Sequence, residues 1–233
     1  MRKEKPIEST DSKRKSVLIA CRIMEPELNR ILAEGGDGVW VVYLEQSLHR
    51  TPKRLLDLLQ ERIDQVEQTA EQIVLGYGLC SNGVVGVRAG RQGLIIPRCH
   101  DCISLFLGSP ERYQEIFLER PGTYYLTPGW IAEGQDPLGL IEEHVPRYDR
   151  ETARWVIEEE LRHYTHITLI DTGTPDMDRC RNRAMENAAA LKKQYEEIPG
   201  RLDYFRQLLR GPYPADRFIH LPPGEAFTQN LFI

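Results

Sequence analysis

Short apolar runs recur along the chain, separated by longer stretches of helical period. The runs at 17–23, 39–44, 73–75, 94–97, 124–127, 166–171 and 218–221 are β-branched or aromatic and read as strands. Between them, Leu55, Leu59, Ile63 and Val66 recur on one face of a helix. Thr51 as a cap and Pro52 in the first turn open that helix. Ser109 and Pro110 open a second, which carries Tyr113, Ile116 and Phe117 and closes at Pro121 and Gly122. Residues 149–164 and 177–197 read as two more helices, the latter rich in alanine, and 200–209 as a short last one. The stretches 129–137 and PPGEAFTQ near the end read as irregular.

Strands alternating with helices predict an α/β fold, a mostly parallel sheet with helices on both faces. The 233 residues suit a single domain over 17–233, preceded by a flexible charged tail over 1–16. That tail, MRKEKPIESTDSKRKS, has no apolar core and reads as neither signal peptide nor membrane anchor. No apolar run approaches the roughly 20 residues of a spanning helix, so a cytoplasmic protein off the membrane is expected. A net charge of −5 argues against general affinity for nucleic acid. Five cysteines, an odd number, argue against a disulfide framework and leave free thiols, metal ligands or redox groups.

Ligands of a parallel sheet collect beyond the carboxyl ends of its strands. There the chain places Cys21 after the first strand and His49 after the second. Gly76, Tyr77, Gly78, Cys80 and Asn82 follow the third, Cys99, His100, Asp101 and Cys102 the fourth, and Trp130 the fifth. The segment CHDC holds two thiols, an imidazole and a carboxylate within four positions, the donor types of a soft-metal site. The expected metal set is Cys21, Cys80, Cys99, His100 and Cys102, with zinc first. An iron–sulfur cluster would need four facing thiols, and the spacing matches no common cluster motif. His100, Asp101 and His49 are the candidate acid–base groups. Gly76, Tyr77, Gly78, Asn82 and Trp130 are candidates for contact with a small-molecule ligand or cofactor.

Plainer readings compete with each of these. A cysteine after a strand is more often core than ligand, and Cys180, near a helix start, is expected to be core. Glu25 and Glu27 read as helix-surface charge, and Asp171-Thr172-Gly173 as a turn closing a strand. GYGLCSNG lacks the third glycine spacing of a dinucleotide-binding turn, and no phosphate-binding GxxxxGK[ST] occurs. A dithiol redox role for Cys99 and Cys102 is a minor alternative.

The segments CRIMEPEL, GYGLCSNG, PRCHDCISLFLGSPERY and PGTYYLTPGW resemble a family of uncharacterised bacterial and archaeal proteins, domain of unknown function 1638. The resemblance runs from about Val17 to about Asp171. It implies a link to corrinoid or methyl-transfer metabolism, because members are often encoded near corrinoid-dependent methyltransferases. It also implies that Cys80, His100, Asp101 and Cys102 recur more regularly than Cys99, which favours a site assembled from separate loops. Two other functions stay open: a non-catalytic partner of a methyltransferase or corrinoid protein, and a metal-free small-molecule enzyme using His100 and Asp101.

Overall fold

The computed structural model describes residues 14–35, 38–80 and 82–232. Among the described residues, eight strands form two sheets rather than the single sheet expected. The larger holds β1 (Arg14–Cys21), β2 (Val39–Leu44), β3 (Ala70–Gly76), β4 (Leu94–Pro97) and β8 (Phe218–Leu221), in the order β2-β1-β3-β4-β8. β2, β1, β3 and β4 run parallel, and β8 closes the edge antiparallel to β4. The smaller sheet, β5 (Thr123–Leu126), β6 (His166–Asp171) and β7 (Gln194–Pro199), is parallel throughout.

Every residue of β1 from Val17 to Cys21 is buried. Alternate side chains of a strand point to opposite faces, so continuous burial means that helices cover both faces. The covering helices include α1 (Glu25–Ala33) and α2 (Pro52–Val66). α2 buries Leu55, Leu59, Ile63 and Val66, as their spacing predicts, although the Thr51 hydroxyl donates back to the Leu48 carbonyl instead of capping. After β4 come α3 (Ile103–Leu107) and α4 (Pro110–Glu119), the latter capped by Ser109 Oγ accepting from Arg112 N–H at 3.1 Å.

Four expectations need correction. The stretch read as irregular after β5 contains α5 (Pro128–Ala132) and the start of α6 (Pro137–His144), with Thr127 and Asp136 as caps. Following α7 (Arg150–Glu160), the long helix expected over 177–197 is α8 (Met177–Ala190) and then β7. The chain turns there at Lys192, in the left-handed region at φ 55°. The last helix, α9, spans Asp203–Arg210. β1 begins at Arg14, inside the stretch assigned to the charged tail, while residues 1–13 lie outside the described ones.

The turns after β1 and β5 approach each other closely. A Cβ on Gly129, in the first turn of α5, would lie 1.8 Å from the Ile23 carbonyl oxygen, so only glycine permits this approach. Trp130 beside it packs edge-on to Phe106 at 6.3 Å, and contacts the cores of both sheets. From α1, Arg30 donates to the Thr172 and Gly173 carbonyls beyond β6, at 2.7 and 2.6 Å.

Candidate functional site

Because β1, β2, β3 and β4 are parallel, the segments after them emerge on one edge, as the sequence predicts. Cys21 ends β1, His49 follows β2, Tyr77 and Cys80 follow β3, and the CHDC segment follows β4. The two latter segments are joined backbone to backbone. Leu79 N–H donates to the Cys99 carbonyl at 2.9 Å and Cys80 N–H to the His100 carbonyl at 3.0 Å. Gly78 permits this join, since a Cβ there would lie 2.7 Å from the Cys99 carbonyl oxygen. Gly76 serves the same end against Ala20. Both glycines are thus accounted for by backbone packing. Asn82 is exposed in the left-handed region at φ 67°, and Cys80 is also left-handed, at φ 45°. For a non-glycine residue that conformation costs about 1–2 kcal/mol, and such strain concentrates at functional sites.

All five cysteines are buried free thiols. Cys180 lies in α8, packed in the smaller sheet's core, as expected. The other four form one electrostatic neighbourhood. Burial pushes the Cys21 thiol up to about 12. Cys80 is pushed up by burial and then by Cys21 and Asp101, Cys99 by burial and then Cys80. Cys102 is pushed up by burial and then by Cys80, Asp101, Cys21 and Cys99. These thiols are therefore protonated near neutral pH.

Tyr77 stands among them, fully buried, its phenol pushed up by burial and by Cys21, Cys80 and Cys102. His49 stacks on the Tyr77 ring at 5.8 Å, and burial lowers its imidazole to about 4, so it is neutral near pH 7. Among the described residues, neither the Tyr77 hydroxyl nor His49 Nε2 has a hydrogen-bond partner.

The neighbours of the cysteines in the motif are placed differently. Asp101 Oδ1 accepts from Ile103 N–H at 2.9 Å at the start of α3, and its carboxyl is raised by burial. His100 is exposed and stacks on Phe232 at 6.4 Å. His49 is therefore the imidazole associated with Tyr77, whereas His100 packs on the C-terminal segment. Among the described residues no three His, Cys, Asp or Glu side chains are grouped to hold one metal ion.

A family model described as "Protein of unknown function (DUF1638)" matches residues 43–209. The chain belongs to the DUF1638 family. The DUF1638 match takes in His49, Tyr77, Cys80 and the whole CHDC segment, and leaves out Cys21. No curated protein and no solved structure matches the chain.

The sequence reading missed Glu27. Expected on the surface, it is 0% exposed. Its signal lay in spacing: Glu27 stands three residues after Met24 and four before Ile31, on the buried face of α1. Its Oε1 accepts from the Thr172 hydroxyl at 2.7 Å, while Oε2 has no partner among the described residues. Burial raises this carboxyl to about 7, with the Thr172 hydrogen bond opposing the shift.

Proposed function

We propose that the protein binds a thiophilic cofactor, a soft metal ion or a metal-bearing small molecule, at the carboxyl edge of the five-stranded sheet. The observation that carries this reading is the pair of unpartnered polar atoms, Tyr77 Oη and His49 Nε2, beside four gathered thiols. A buried polar group without a partner costs about 1–3 kcal/mol, which a ligand would offset. Cys80 and Cys102 are the principal donors in this reading, with Cys21 completing the set and Cys99 beside them.

The present side-chain arrangement is not a ligand set, so the reading includes rotation of these thiols onto the incoming group. Zinc is the first candidate because it accepts mixed sulfur and nitrogen donors, and when bound it favours thiolate formation or activates water. A role in methyl-transfer or corrinoid metabolism rests on the family resemblance, and a cytoplasmic setting, where thiols stay reduced, belongs to the same reading. Metal-free chemistry by His100 and Asp101 gains no support, because the first stacks on Phe232 and the second accepts from Ile103 N–H at the start of α3.

The test is elemental analysis of protein purified without oxygen, alongside Cys80→Ser and Cys102→Ser. Near-stoichiometric zinc or iron in the parent, lost in both variants, supports the reading. Parent protein without metal overturns the metal assignment.

A further inference from the structure

A second site lies between the two sheets, separate from the thiols and not dependent on them. A cleft of about 730 Å³ opens where the carboxyl ends of β1 and β2 face those of β5 and β6. That volume is in the range of metabolite pockets, about 300–1,000 Å³, and the position is where α/β sheets bind ligands. The charged residues of its walls are Arg22, Glu25, Glu45, Glu133, Asp176 and Arg179.

Three of these groups are engaged with one another. Arg22 Nη1 bonds Glu25 at 3.3 Å, and Arg22 also lies 4.0 Å from Glu133 and over the Tyr43 ring. Glu45, Asp176 and Arg179 make no ion pair among the described residues. Glu45 comes from the larger sheet, Asp176 and Arg179 from the first turn of α8 beyond the smaller one. The cleft therefore presents the Glu45 carboxylate on one wall, and Asp176 with the Arg179 guanidinium on the other.

The walls are pinned below the opening. Thr172, just past β6, donates to the buried Glu27 carboxyl, and Arg30 holds the carbonyls of Thr172 and Gly173. Glu27 directly follows Pro26, which lines the cleft. These links fix the spacing of the walls before any ligand arrives, which lowers the ordering cost of binding.

We propose that this cleft binds a small zwitterion of the α-amino-acid class, its ammonium toward Glu45 and its carboxylate toward Arg179. Both signs of the ligand then meet a charge-assisted partner.

The experiment is thermal unfolding of the full chain with each standard L-amino acid at millimolar concentration, repeated on Arg179→Glu and Glu45→Lys. At least one amino acid is expected to raise Tm in a concentration-dependent way. Each substitution is expected to weaken its apparent affinity by about tenfold or more, the loss of one charge-assisted contact. Both side chains are exposed, so the unliganded Tm should stay near that of the parent. The absence of a shift with every amino acid, or a shift that survives both substitutions, overturns the proposal. Neither result bears on metal retention by the thiols.

Discussion

The Thr172 hydroxyl donates to the Glu27 carboxyl at 2.7 Å, a hydrogen bond between the first helix of the larger sheet and the loop beyond β6. Its acceptor is a fully buried acid whose other oxygen is unmet. Burial raises that acid from an ordinary 4.5 to about 7. In this window the folded chain holds a proton that the unfolded chain has released, so stability falls as pH rises from about 4.5 to about 7. The contribution lost is roughly 3 kcal/mol. Glu27→Gln keeps an acceptor for Thr172 and removes the titration. Urea denaturation across this window should show a flatter pH dependence in the variant; an identical slope would assign the dependence elsewhere.

Gly129 admits the Ile23 carbonyl at a distance no Cβ tolerates. Gly129→Ala is expected to destabilise by about 3 kcal/mol or more, because two backbones must separate. Gly134→Ala is the control: its φ is +64° but nothing lies near its Cβ, so about 1 kcal/mol of strain is expected. Equal losses in the two variants would mean that the approach of the sheets is not tight.

Burial keeps the thiols at the edge protonated, Cys21 with its value near 12 and Cys80, Cys99 and Cys102 all raised. Since the thiolate is the nucleophile, iodoacetamide should modify these four slowly at neutral pH in the folded protein and rapidly in denaturant. Mass spectrometry of the modified peptides reads this directly. Rapid labelling of Cys80 or Cys102 in the folded state would contradict the burial described.

The buried Tyr77 hydroxyl has no partner among the described residues. Tyr77→Phe should leave the unliganded protein equally stable, or more stable by up to about 1 kcal/mol. If the hydroxyl serves the bound cofactor, the same substitution should lower metal retention without loss of fold. A clear loss of stability would show that the hydroxyl is already satisfied.

What was legible in the sequence, and what was not, divides on physical grounds. The convergence of Cys21, His49, Cys80 and the CHDC segment followed from strand direction alone, since parallel strands send their exits to one edge. Which strands share a sheet did not follow: Leu126, Ile167 and Leu169 are as apolar as their counterparts in β1 and β3, and pairing leaves no mark on periodicity. β7 was hidden because Ala188, Ala189, Ala190, Lys192 and Lys193 favour helix, and neither glycine nor proline marks the break at Lys192. Pairing with β6 overrides that preference, giving Gln194–Pro199 a strand they would not form alone. Glu27 was missed because a lone carboxylate in a helix is usually solvated, and charge was weighed over its place on the apolar face.

The antiparallel partnership of β8 with β4 carries a consequence for where this protein can be cut. The family match covers residues 43–209, yet β1, paired between β2 and β3 in the larger sheet, lies before it and β8 after it. A fragment trimmed to the matched stretch would retain the whole CHDC motif and strip away both the strand beside β3 and the strand beside β4. What a sequence comparison recognises as the unit is therefore smaller than what folds as one. The outlying ends, silent in the match, are the scaffolding on which its most distinctive residues stand.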